Sequence, residues 1–264
     1  MKKISMISLL ILFIPAGLWG GTTLLNTNMG IPQQAAEGSE VNQVAVIETD
    51  DVLPRTYIVC IDPGHQTKGN NEQEPIRPGS SETKAKVTQG TKGVATGKTE
   101  YALNLEAGLV LEEILTNFGM EVHMTRSVND VDISNAERAV MAGEVNADLF
   151  VRLHADGSPD PNTRGAHILV PDNSHPSTFV VEKSEKSAKL ILEKLGKEIR
   201  LTQNPLSYRG DITGFNWSDV PVILLEMGYM SNPGEDRLMA DPDYIRGMML
   251  LLAEGIEAYM ATLE

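Results

Sequence analysis

The chain has 264 residues, with 36 acidic against 22 basic side chains and a formal net charge of −14. That length fits one large domain with a tail, or two small domains at most. The acidic balance excludes the phosphate-neutralising surface on which nucleic-acid binding depends and disfavours flat anionic membranes, and a single cysteine, Cys60, excludes an intramolecular disulfide.

In chain order, Lys2 and Lys3 precede an apolar stretch from Ile4 to Trp19 that is broken by Pro15. A basic start before an apolar run reads as an export segment, so residues 1–25 are expected to be a signal peptide or a membrane anchor. Residues 4–21 lie near the lower limit for a spanning helix, roughly 17–25 residues, so an anchor through them stays open. No cysteine stands at a lipobox position. Residues 26–54 are polar and aperiodic and read as a flexible linker. The folded domain is expected over residues 55–264.

Tyr57 to Asp62 is a short apolar run ending at Pro63-Gly64, as in a buried strand. Cys60 within it reads as an inert core thiol. Residues 66–98 are rich in Gly, Lys, Thr, Ser and Glu without periodicity, and so read as a long functional loop or lid. Leu103, Ala107, Val110, Leu111, Ile114 and Leu115 recur at helical spacing and predict a helix from Thr99 to Phe118, capped by Gly119. Strands are expected at Glu121–Thr125, Leu149–His154, Ala166–Val170 and Pro221–Met227. Helices are expected at Ser134–Val145, from Ser177 to about Thr202, and from Pro242 to about Leu263. Strand–helix alternation with unbroken apolar strands predicts an α/β fold: a single twisted, mainly parallel sheet flanked by helices on both faces.

Three strand ends carry polar groups that a core does not require: Asp62 and His65 after the first, His154 and Asp156 after the strand from Leu149, and Glu226 after Val222–Leu225. Ligands of open α/β sheets bind at carboxyl strand ends. Glu100 adds a carboxylate at a helix start. Two histidines with carboxylates are the parts of a catalytic zinc site, although the scattered spacing lacks a compact H-E-x-x-H signature. Each group also has a plain reading. His65 and His154 could be edge histidines, Glu100 a first-turn acid favoured by the helix dipole, and Asp62 a turn cap or a partner for a ligand histidine. A buried Glu226 would be costly without a function. His123, His167 and His175 read as structural or exposed, Phe215 and Trp217 as packing, and Arg209 as a surface residue or a reader of a peptide carboxylate.

The segments Ile61–His65, Lys98–Asn104, Ala147–Asp156 and Pro221–Pro233 occur in an order that resembles the zinc-dependent N-acetylmuramoyl-L-alanine amidases of family 3, the cell-wall amidases. Met124–Arg126 and Asn135–Arg138 also match that pattern. The resemblance implies zinc held by His65, Glu100 and His154, with Glu226 as general base. It implies cleavage in peptidoglycan, between the lactyl group of N-acetylmuramic acid and the L-alanine of the stem peptide. With the export segment, the expected place is outside the cytoplasm: secreted, in the cell wall or tethered to the outer face of the membrane. An activator protein is left as an open partner. Arg152 and Asp156 depart from the usual residues beside the second histidine, which bears on substrate preference. A stem-peptide metallocarboxypeptidase and a non-enzymatic wall-binding module are the competing functions.

Overall fold

The computed structural model describes residues 55–263, so the expected export segment and linker lie outside the described residues. The strands are β1 (Ile58–Pro63), β2 (Asn70–Pro75), β3 (Thr83–Val87), β4 (Glu121–Met124), β5 (Leu149–Asp156), β6 (Ala166–Pro171), β7 (Leu201–Arg209) and β8 (Val222–Tyr229). The helices are α1 (Glu100–Asn117), α2 (Asn135–Glu144), α3 (Thr178–Leu195), α4 (Thr213–Asn216), α5 (Pro233–Met239) and α6 (Pro242–Met260). Six strands form the main sheet in the order β4-β1-β5-β8-β6-β7. β4, β1, β5 and β8 are parallel, whereas β6 runs antiparallel to β8 and carries β7 with it. The mainly parallel α/β sheet expected from the sequence is present, with a reversed pair at one edge.

Period-two alternation divides the strands between two cores. Val59, Ile61, Leu149, Val151, Leu153, Ile168, Ile223 and Leu225 pack with α1, α3 and α6. Cys60, Phe150, Leu169, Val222 and Leu224 face the other way, toward Ala139 and Ala142 of α2 and Phe215 of α4. Helices therefore cover both faces, but the second face has only short ones. Gly255 shows how closely the first layer packs: a Cβ there would come 2.6 Å from the Ile191 Cα, so α6 approaches α3 at backbone contact.

Two sequence expectations need correction, and one helix was missed. The helix expected to reach about Thr202 stops at Leu195, where Gly196 caps it, and Leu201–Arg209 is an edge strand. Its Thr202-Gln203-Asn204-Pro205 stretch hides the strand pattern, and an edge position is where a sheet accepts proline. Residues 66–98 are not a structureless lid, since β2 and β3 form an antiparallel hairpin within them. That hairpin is pinned to the domain: Arg77 donates to the Gly210 carbonyl at 3.1 Å, Trp217 Nε1 to Pro75 O at 2.9 Å and Asn135 to Lys86 O at 2.8 Å. Helix α5 was not anticipated, although Asn232-Pro233 carries its signal: the Asn232 side chain caps two backbone N–H groups and proline occupies the first turn.

Asp62 organises the carboxyl ends of these strands, and it neither caps a turn nor meets a histidine. It is fully buried, accepts from the Thr125 hydroxyl at 2.6 Å, and pairs with Arg138 at 2.7 Å and Arg152 at 2.9 Å. Arg138 and a third buried arginine, Arg126, reach the turn after β1. Pro63 O accepts from Arg126 Nε at 2.8 Å and Arg138 Nη1 at 3.0 Å, Gly64 O from Arg126 Nη2 at 3.1 Å, and His65 O from Arg138 Nη2 at 3.2 Å. Burial alone would raise the Asp62 pKa, but the Arg138 and Arg152 charges and the Thr125 hydroxyl hold it far below the usual carboxylate range.

A carboxyl with a depressed folded-state pKa stabilises the fold above its unfolded pKa, about 3.9, and that contribution fades as pH falls toward the lower folded value. The domain is therefore expected to lose stability progressively below about pH 4–5 in urea unfolding. Asp62→Asn strands two buried arginines and is expected to cost about 3–5 kcal/mol at neutral pH, with a shallower acid limb. An unfolding midpoint unchanged from wild type would refute the anchoring role.

Candidate metal centre

The register of the sheet collects the site. Arg152, His154, Leu224 and Glu226 all lie on the face thinly covered by α2 and α4, because they share the parity of Phe150 and Val222. His154 is the direct register partner of Glu226, and His167 of β6 is its partner on the other side. His65 follows β1 in the clamped turn, and its φ of 62° is one of two positive values among the described non-glycine residues. Such strain persists only where surrounding contacts over-determine it, and the arginine bonds to Pro63, Gly64 and His65 do so. Glu100 is the first residue of α1, where the helix dipole favours a carboxylate.

These elements bring three donor atoms together. His65 Nε2 lies 3.0 Å from Glu100 Oε1, His154 Nδ1 lies 3.2 Å from the same oxygen, and the two ring nitrogens are 3.1 Å apart. His65 Nδ1 sits 2.8 Å from the Thr88 carbonyl. A carbonyl only accepts, so Nδ1 carries a hydrogen and Nε2 is the ring atom turned toward the carboxylate oxygen. Donors bonded at about 2.0–2.1 Å to one tetrahedral ion sit roughly 3.3 Å apart, so the spacing suits such an ion. Burial, against the pull of Glu100, pushes His154 down to about 4, which keeps its ring neutral at physiological pH as ligation requires. Burial would raise Glu100, yet its hydrogen bonds with His154 and His65 hold it well below the ordinary range.

Supporting groups fix the carboxylate. Glu100 Oε2 accepts from Thr91 N at 2.8 Å, and Oε1 from Ala155 N at 3.2 Å. Asn104, one turn along α1, bridges Oε1 at 3.4 Å and Gly64 O at 3.2 Å. Gly90 adopts φ +82°, and a Cβ there would come within 2.8 Å of Glu100 Oε2 and 2.9 Å of the His65 ring. The segment before α1 thus lies against the donors where only glycine fits.

Glu226 opens into the same cleft as His65 and His154. Its Oε2 is buried and has no hydrogen-bond partner. Burial pushes its pKa well above the usual carboxylate value, and the charges of Glu100 and Asp156 add to the shift. His65, Glu100, His154 and Glu226 are therefore all gathered into one place. His167, read from the sequence as structural or exposed, is buried beside Glu226, 3.7 Å from Asp156, and stacked on Tyr229 at 5.7 Å. Only its parity on β6 could have signalled this position. His123 lies apart, paired with Glu121, and His175 meets the Ser218 carbonyl at 3.1 Å. Phe215 is core, as expected.

Comparison with known proteins follows the same lines. The family described as N-acetylmuramoyl-L-alanine amidase (Amidase_3) matches residues 59–258. The N-acetylmuramoyl-L-alanine amidase Rv3717 of Mycobacterium tuberculosis is 30% identical over 78% of this chain and 87% of its own length. The probable cell wall amidase LytH of Staphylococcus epidermidis is 25% identical over 77% of this chain, which spans 58% of LytH. The crystal structure of the amidase Ami1 from Mycobacterium smegmatis superposes with a TM-score of 0.72 at 29% identity, over 78% of this chain and 97% of that one. The fold, the gathered site and these matches agree that the chain belongs to the N-acetylmuramoyl-L-alanine amidase family, hydrolases of peptidoglycan.

Proposed function

We propose that the chain is a zinc-dependent amidase in which His65, Glu100 and His154 hold the metal and Glu226 is the general base. The observation that carries this reading is the convergence of three lone-pair donors beside a buried, unpartnered carboxyl of raised proton affinity. The bond cut is the amide between the lactyl group of N-acetylmuramic acid and the L-alanine of the stem peptide. Bound there, zinc supplies Lewis acidity toward the lactyl carbonyl and lowers the pKa of a coordinated water to about 7.

The chain's own groups do the rest. Glu226 takes the proton of the attacking water and returns it to the departing alanine nitrogen as the C–N bond breaks. A proton affinity raised by burial suits a group that must accept and release a proton near neutral pH. The Thr88 carbonyl fixes the His65 tautomer and ring orientation, as partners of ligand histidines do. Thr91 holds Oε2, while Ala155 and Asn104 donate to Oε1, the oxygen that also faces the histidines, so both Glu100 oxygens are fixed in place. The substrate places the enzyme outside the cytoplasm. The secreted form and the anchor through residues 4–21 both concern a segment outside the described residues.

The test uses the purified full chain on peptidoglycan, with identification of the newly exposed amino terminus. New N-terminal alanine that disappears with chelator and returns with zinc is expected. Chelator-sensitive release of another terminus would replace this reading with a stem-peptide peptidase. His65→Ala and His154→Ala are expected to lose both bound zinc and turnover. Glu226→Gln is expected to keep stoichiometric zinc while kcat falls about 10²–10⁴-fold; normal turnover in that variant would remove Glu226 from the mechanism.

A further inference from the structure

The cleft that holds His65, His154 and Glu226 has a volume of about 440 Å³, and its far wall is cationic. Lys84 of β3, Arg209 at the end of β7 and Arg152 of β5 all line it, in a chain whose net charge is −14.

Two of them are held by one carboxylate. Arg209 donates to both Asp211 oxygens, through Nε at 2.6 Å and Nη2 at 2.8 Å. Lys84 Nζ contacts the Asp211 carboxylate at 3.2 Å and also its backbone carbonyl. These bonds use two of the five guanidinium N–H donors and two of the three ammonium donors. Donors remain on both side chains, which stay partly exposed, at 45% for Arg209 and 42% for Lys84. The Arg209 hydrogen bonds, with help from Lys84, hold the Asp211 carboxyl well below its usual range, so it stays ionised as an anchor. The lining sets Lys84, Arg152 and Arg209 against the carboxyls of Asp211 and Glu226, an excess of one positive charge with both acids ionised. Arg152 also shares its counter-ion Asp62 with Arg138.

We propose that Arg209 and Lys84 form a carboxylate-reading subsite that makes the enzyme prefer stem peptides with a free acid near the cleaved bond. The inference rests on the amidase reading and deepens it by naming the substrate class. On the departing side of that bond lies a peptide, and the glycan side has no fixed anion once the lactyl carboxyl is an amide. The anion that a cationic wall meets is therefore a peptide carboxylate. Arg209 is suited to take it in the bidentate geometry of guanidinium and carboxylate. Asp211 positions both cations by holding them to the loop after β7, and the Arg77 bond to Gly210 ties the hairpin that carries Lys84 to the same loop. Asp211 and Glu226 repel a substrate carboxylate, so recognition rests on the guanidinium and ammonium donors that Asp211 leaves free.

The experiment compares two muropeptides that differ at one group, a free carboxylate or a carboxamide on the stem residue after L-alanine. Both are given to the zinc-loaded full chain. A higher kcat/KM on the acid form is expected. In Arg209→Gln combined with Lys84→Gln, the acid-to-amide ratio should fall about tenfold or more, as loss of a charge-assisted hydrogen bond predicts, with the change in KM. Lys84→Arg, which keeps the charge, should retain the ratio. Equal rates on both forms in the wild type, or an unchanged ratio in the double variant, would overturn the subsite. Absence of cleavage with both forms would count against the amidase reading instead. The subsite would then be judged by calorimetric binding of the free stem peptides, where equal affinity for acid and amide overturns it and tighter binding of the acid supports it.

Discussion

The buried carboxylate of Asp62 and the arginines around it are the constraint on which the rest of the site depends. Three guanidiniums, those of Arg126, Arg138 and Arg152, lie at 3% exposure or less, and Asp62 is the carboxylate they gather around. Buried charge is costly unless it is paired and its remaining donors are satisfied. The excess positive charge is met by carbonyl oxygens of Pro63, Gly64, His65 and Tyr101. Burial and the neighbouring Arg138 push Arg126 down to about 10, which leaves it charged at physiological pH. The need to satisfy those arginines forces the chain after β1 into a turn that an unassisted backbone would avoid, and His65 sits in that turn.

Seen this way, the departure at Arg152 is part of the scaffold. Asp62 and Arg152 are register partners on adjacent parallel strands. Arg152 also donates to Asn135 at 2.7 Å, which itself holds the hairpin strand β3. One residue therefore links the core ion pair, the N-terminus of α2 and the wall of the cleft. The hairpin completes a rigid enclosure: it supplies Thr88 to orient His65 and Lys84 to face the cleft. Preorganisation of this kind keeps donors in place before substrate arrives.

Charge is distributed unevenly in a way that bulk composition conceals. Acidic side chains dominate the chain as a whole, while the cleft concentrates Lys84, Arg152 and Arg209 around a buried acid. The low-dielectric floor of the cleft strengthens each of those interactions. Burial in that floor raises the Glu226 pKa, and the charges of Arg152 and Arg209 partly offset the shift.

The sequence by itself determined the α/β class and the central strands, because unbroken apolar runs such as Val222–Leu225 have few other uses. It also marked His65, Glu100, His154 and Glu226, since polar residues that end apolar strands or open a helix stand out against the pattern. Helix α1 was legible from its spacing, and α2 was expected over Ser134–Val145, where the structure adds a capping box of Ser134 and Glu137. The edge strand β7 and the hairpin were not, because their residues bury little and are held by partners far away in the chain. Tertiary structure alone decided that Asp62 anchors arginines, that His167 flanks Glu226, and that Lys84 and Arg209 share Asp211. Each of those facts joins groups on different strands or loops, and one-dimensional periodicity reports which face a residue takes but not which neighbours the sheet order sets beside it.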